Sequence, residues 1–529
     1  MTLVLMPKMK NPHRLKYDQL IAYIRKYDAS SLIRMIINYG SIISQYDIGS
    51  KAYINNLRKS PSHYELDSLC IWVHRYGQSG NKIIDEDCFI KLCRKFRKSR
   101  NGIELYIEKQ VQQTSVSRDE GILFRTLRRA AFLQFRYQNQ QPYEDLARQY
   151  IMFVKLDKEG VLSKKFSKLS TISIKEFLYT YLILLLLIEQ YGDIEIPYIE
   201  KSEILQKILT FNTFNGFFTL LSKGINSAKD FIKNYEGKFS HTDINFRLFE
   251  QTPFERYPFF KFKDYYAYYH KRLLYAAIEN NLYDICKEVD PNMCGEFSKV
   301  TSEGGFGQIF EGYVHKALEY YTSDKKEELI IYNTQNIREK LLLNKKDSCV
   351  DFLVIEDNTG VLIECKSTEY HKKSRIIQNK ESRTTALKVQ IIKAVQQIIH
   401  TIDKLLDKKP VVIDKVKTLY GIVITYKQYY LGSGESLYNE MSELLPIEPK
   451  ISAKNLFFLS ISEFDYLIAA ARANNTTLSK ILSGLTDSDH NNSLMFSMGL
   501  DKICNNTTYR AQYLTDALEE MHANAIKHD

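Results

Sequence analysis

Residues 349–367, CVDFLVIEDNTGVLIECKS, decide the fold. Two short apolar runs flank the turn-forming residues Asp357-Asn358-Thr359-Gly360. The stretch therefore predicts a hairpin with Asp351 in its first strand and Glu364-Cys365-Lys366 closing its second. Side chains alternate along a strand, which puts Glu364 and Lys366 on one face and Ile363 and Cys365 on the opposite, buried one. Two carboxylates and a lysine then meet at one strand end. A hard divalent cation such as Mg2+ takes carboxylate and carbonyl oxygens and keeps several waters, so Asp351 and Glu364 are suited to its first shell.

Outward from the hairpin, residues 307–321 space Ile309, Phe310, Tyr313, Val314, Ala317 and Leu318 as one face of a helix, and 329–332 is a strand-like apolar run. Beyond the hairpin, 384–406 carries a stripe of Leu387, Ile391, Val395, Ile398, Ile402 and Leu405, and LYGIVITY at 419–426 predicts a further strand. The element order is αβββαβ.

Asp351, twelve intervening residues and Glu364-Cys365-Lys366, set in that order of elements, resemble the PD-(D/E)XK nuclease superfamily, the fold of many restriction and recombination endonucleases. The resemblance covers about residues 300–470. Val350 stands where the family usually has proline. A strand-end acid two residues from a lysine also arises as a solvated face, so the surrounding elements carry the likeness. It implies that Asp351 and Glu364 hold Mg2+ or Mn2+ with the backbone carbonyl of Cys365. Lys366 is then the catalytic lysine that orients or deprotonates water, or neutralises the scissile phosphate. Many members add a glutamate from the preceding helix, a place held by Glu311; the plainer reading is a surface residue pairing with His315 or Lys316. Related enzymes set a Gln or Lys on the helix after the motif, which makes Lys388 and Gln390 supporting candidates. The branch with Tyr four residues after that Gln is not matched, because Ala394 follows Gln390.

After the motif the chain is basic, and Lys372, Lys373, Arg375 and Arg383 are candidate phosphate contacts, against the alternative of a solvated loop. A second run, Lys91 to Arg100, packs Arg94, Lys95, Arg97 and Lys98 with no acidic neighbour, and these four are nucleic-acid-binding candidates; such a run is usually a solvated helix face. Arg125, Arg128, Arg129 and Arg136 follow. Aromatic and basic residues interleave over 246–275, a pattern that can stack bases but more often fills a core.

The chain has 529 residues, a formal net charge of +10 and 8 cysteines without ligand or disulfide spacing. The charge favours a polyanionic partner, although Lys, Tyr, Ile and Asn abundance also follows from an AT-rich coding sequence. The cysteines fit a cytoplasmic protein without structural zinc. No secretory signal opens the chain, and the apolar run 177–188 is too short to span a bilayer; Ser173 and Glu176 cap it as a buried helix.

The expected fold class is α+β multidomain: a large all-α N-terminal region over 1–295, a restriction-endonuclease-like αβββαβ domain over 296–475, and a small helical C-terminal appendage over 476–529. Helical segments are expected near 15–26, 30–44, 84–98, 119–137, 143–155, 173–191 and 263–283. The expected function is a Mg2+-dependent endonuclease, acting on DNA in preference to RNA, with phage defence as an analogy. The N-terminal region would bind substrate, sense a trigger, or form a homodimer or partner complex. The alternatives are a non-cleaving nucleic-acid-binding or assembly subunit, and a transposase or recombination subunit.

Overall fold

In a computed structural model, the structure describes residues 12–47, 50–57, 60–80, 82–98, 131–132, 137–138, 140–192, 195–237, 252–291, 293, 305–323, 329–344, 347–369, 387–408, 410, 413–431, 434–441, 451–486, 495–504 and 509–526. They belong to two units. One comprises Met1–Asp119, Leu133–Pro142 and Thr180–Asn281; the other comprises Glu120–Phe132, Tyr143–Tyr179 and Leu282–Asp529.

Amphipathic helices build most of the first unit. Asp28 caps helix Ala29–Ser44 by accepting the Ser31 N–H at 2.9 Å, and Ser62 with Glu65 forms a capping box on helix His63–Tyr76. Leu32, Ile33, Ile36, Leu66, Leu69 and Trp72 from these helices share a core with Phe89, Leu92 and Phe96 of helix 86–98. The unit is not all-α, however. Four short strands, β1 (Glu195–Pro197), β2 (Ser222–Lys223), β3 (Phe259–Lys261) and β4 (Tyr265–Tyr268), form a sheet in the order β1-β4-β3-β2. The single helix expected over 263–283 is therefore β4 followed by helix Lys271–Val289. Strands of two to four residues are too short to impose a period of two on the sequence, so the neighbouring helical period hid them. Of the interleaved aromatics, Phe254, Phe259, Phe260, Tyr266, Tyr268 and Tyr269 are buried, which favours the core reading over base stacking.

The second unit is organised on five strands: β5 (Ile330–Asn333), β6 (Phe352–Glu356), β7 (Thr359–Lys366), β8 (Thr418–Thr425) and β9 (Leu456–Ser460), in the order β5-β6-β7-β8-β9. β5, β6 and β7 run antiparallel, while β7, β8 and β9 are parallel. The turn between β6 and β7 is Asp357-Asn358, with Asp357 at φ +51°, a left-handed conformation that Asp tolerates. Helices Phe306–Thr322 and Lys393–Lys408 both pack against β7. β6 is buried along its whole length and β7 everywhere but its two ends, so Glu364 lies inside as well as Ile363 and Cys365. A sheet covered on both faces loses the alternation of a half-exposed one.

Within the segment expected as a C-terminal appendage, helix Leu478–Thr486 packs against β7, and helix Phe496–Ile503 packs against β9. Buried Glu356 of β6 accepts the Ser479 N–H at the start of helix Leu478–Thr486 at 2.5 Å, and Tyr321 donates its hydroxyl to the same carboxylate at 2.6 Å. Residues 143–179, expected with the N-terminal region, group with this second unit. Buried Arg148 donates to Asp465 at 2.8 Å, and that carboxylate also accepts hydroxyls from Tyr313 at 3.0 Å and Tyr513 at 2.5 Å. Contacts spread over so many residues of sequence leave no local signature. Among the described residues, no helix is long and apolar enough to cross a membrane.

Candidate active site

The hairpin frays where the acidic residues begin. Asp351 N–H donates to Ile363 O at 3.1 Å, one residue out of step with the Phe352–Ile363 pairing, and Asp351 Oδ2 accepts the Cys365 N–H at 2.7 Å. A side-chain carboxylate thus takes the place of a ladder carbonyl, which pins Asp351 beside the Glu364-Cys365-Lys366 segment. Along the same strand, Lys366 Nζ donates to Glu364 Oε1 at 2.7 Å, and it also donates to Gln397 Oε1 of helix Lys393–Lys408 at 2.8 Å.

The helix Lys393–Lys408 completes this framework. Gln397 Nε2 donates to Cys349 O at 3.4 Å, and the Thr401 hydroxyl donates to Gln397 O at 2.9 Å while accepting the Val350 N–H at 3.1 Å. One helix face therefore fixes both the lysine and the chain entering Asp351. Of the expected supporting residues, Lys388 is exposed and Gln390 half-buried, both on the π turn Lys388–Ile392. Gln390 and Gln397 are seven residues apart and look equivalent in a regular helix. A π turn at Lys388–Ile392 shifts the helical phase between them, a change that carries no sequence periodicity of its own.

Glu364 is 2% exposed. Burial, reinforced by the Asp351 carboxylate and then by Glu311, pushes its carboxyl well above the usual carboxylate range against the pull of Lys366. Burial also works against the Lys366 ammonium, but Glu364 outweighs it and holds the lysine above its ordinary value. Glu311 sits exposed on helix Phe306–Thr322, close enough for its charge to act on Glu364. His315 stacks on Phe352, centroids 5.7 Å apart, and is no part of the acidic group.

Glu364 Oε2 is buried and accepts no hydrogen bond, which is costly for a carboxylate oxygen unless a cation or its water satisfies it. Among the described residues, no three His, Cys, Asp or Glu side chains converge as a preformed metal cage. Two carboxylates and a nearby backbone carbonyl suit a hard cation that keeps most of its waters, and do not suit a structural zinc. The donor set therefore fits Mg2+ or Mn2+.

The basic candidates separate. Arg94 and Lys98 are exposed on helix 86–98, and Lys95 lies 5.5 Å from the Tyr23 ring centroid. Arg97 is not part of an unpaired run: it donates to both oxygens of Glu65 at 2.7 and 2.8 Å and to the carbonyls of Leu57 at 2.8 Å and Ser60 at 2.9 Å. Its acidic partner is 32 residues earlier and invisible to a local charge count. Lys372, Lys373, Arg375 and Arg383 lie outside the described residues, as do Arg125, Arg128, Arg129 and Arg136.

No family model matches this chain, and no curated protein does. Among solved structures it is similar to the small subunit (R.BspD6I2) of the heterodimeric restriction endonuclease R.BspD6I, at 12% sequence identity and a TM-score of 0.20, over 44% of this chain and 98% of that one. A TM-score that low carries no weight for the fold or the site.

Proposed function

We propose that the chain is a metal-dependent nuclease of PD-(D/E)XK type that hydrolyses phosphodiester bonds of nucleic acid, DNA in preference to RNA. The observation that supports this reading best is the unpartnered, buried Oε2 of Glu364, set beside Asp351 and two residues from a lysine fixed at its Nζ. Asp351 and Glu364, with the backbone carbonyl of Cys365 and with Glu311, would hold Mg2+ or Mn2+. A bound cation supplies Lewis-acid polarisation of the phosphate and acidifies water. The chain's own groups do the rest. Lys366 presents an ammonium, aimed by Gln397, to the water or to the non-bridging phosphate oxygen. Asp351 holds the Glu364-Cys365-Lys366 segment by accepting the Cys365 N–H, and its carboxylate would contribute to holding the cation.

A non-cleaving, nucleic-acid-binding subunit is the second reading, and it is favoured because, among the described residues, no three acidic side chains are already converged as a metal cage. Incubation of the purified protein with plasmid, linear DNA and RNA, in Mg2+, Mn2+ or EDTA, separates the two. The expected outcome is metal-dependent cleavage, abolished by EDTA and lost in Asp351→Ala, Glu364→Ala and Lys366→Ala. Cutting by Glu364→Ala at the parent rate, or in EDTA, overturns the metal-dependent reading of this site, and no cleavage under any of these conditions favours the non-cleaving one.

A further inference from the structure

We propose that Lys366 is the internal counter-ion of Glu364 and opposes cation binding at this site, so that its charge sets the divalent-ion concentration at which the site loads. This regulatory role rests on the reading of Asp351 and Glu364 as a cation site.

The geometry carries the argument. The Lys366 side chain is 15% exposed, and its ammonium has two fixed acceptors, Glu364 Oε1 at 2.7 Å and Gln397 Oε1 at 2.8 Å. The Gln397 side chain is itself held by its Nε2 donating to Cys349 O at 3.4 Å, so the two acceptors together aim Nζ at the carboxylate. A divalent ion bound through Glu364 must share that carboxylate with a unit positive charge one hydrogen bond away. Water is too scarce there to screen the repulsion. Asp351 and Glu311 supply the negative charge that attracts the ion, and Lys366 takes part of it away. Removing the lysine's charge should therefore tighten cation binding while it abolishes the lysine's chemistry, which separates the two roles.

The test is direct Mn2+ binding to the full chain by titration calorimetry, at pH 8 and without nucleic acid, for the parent, Lys366→Met, Lys366→Arg and Glu364→Ala. Lys366→Gln replaces Lys366→Met should the latter not give the parent's circular dichroism. The expected result is at least tenfold tighter binding in the neutral variant, near-parent binding in Lys366→Arg, and loss of the site in Glu364→Ala. If the parent binds and Lys366→Met binds equally or more weakly, the counter-ion proposal is overturned and the cation site stands. If no variant binds Mn2+, the reading of the site itself is overturned.

Discussion

Glu364 is a carboxylate placed where a carboxylate is uncomfortable. Burial and the like charge of Asp351 favour its protonated form, so the folded chain holds this proton more tightly than the unfolded chain does. The sign follows. The stabilising contribution of a raised carboxyl is complete below its unfolded pKa, about 4.3 for Glu, and is lost as pH rises through the folded value. Each unit of elevation is worth about 1.4 kcal/mol. Glu364→Gln keeps the shape and cannot ionise. Its melting temperature relative to the parent should therefore rise between pH 5 and pH 8, measured by thermal denaturation without divalent ions. A difference that stays flat over that range removes the claim that Glu364 is held under electrostatic strain. That Glu364 and Lys366 share a face was legible in the sequence from a strand's period of two, and the Lys366 Nζ bond to Glu364 Oε1 lies on that face. Gln397 was not, because a π turn has no signature in residue order.

Helix 86–98 shows how a charge run divides once its neighbours are known. The Lys91–Arg100 run looked like one phosphate-binding stripe, yet Arg97 belongs to the core scaffold through buried Glu65 and two carbonyls. Burial pushes the Glu65 carboxyl up, but Arg97 outweighs it and holds Glu65 below its usual value. This contribution is present above the unfolded carboxylate pKa and is lost as pH falls through the depressed folded one. Arg97→Ala should cost about 2 to 3 kcal/mol at pH 7, less than the ~3–5 kcal/mol for breaking a fully buried pair because Arg97 is partly exposed, and less in acid. Urea unfolding at pH 7 and pH 3.5 measures both. Arg94→Ala with Lys98→Ala should leave stability unchanged and weaken nucleic-acid binding, with a shallower salt dependence. A parent-like urea midpoint for Arg97→Ala would refute the scaffold role. The longer helices of this region were legible from their 3.6-residue period, and the short strands β1 to β4 were not.

The second unit is stitched from residues far apart in the chain. Arg148, Tyr313 and Tyr513 converge on Asp465, which is 3% exposed. A fragment of residues 296–475, the domain that local patterning suggests, keeps Tyr313 but lacks Arg148 and Tyr513, and so strands a buried carboxylate. It also lacks helix Leu478–Thr486, whose first turn is capped by Glu356. That fragment should show no cooperative thermal transition by circular dichroism, and a sharp transition comparable to that of the full chain would sink the expectation. The hub also bears on how the chain is made. Tyr313 sits on the helix that presents Glu311, and the hydroxyl of Tyr513 reaches Asp465 from 48 residues further along. A ribosome adding about 5 to 20 residues per second takes about 2 to 10 s to cover that distance. During that interval the acidic pair is already synthesised, but the helix beside it lacks its last anchor. A nascent chain therefore carries Asp351, Glu364 and Lys366 before the hub at Asp465 is complete, so the site proposed here would be held in place only once Tyr513 has followed.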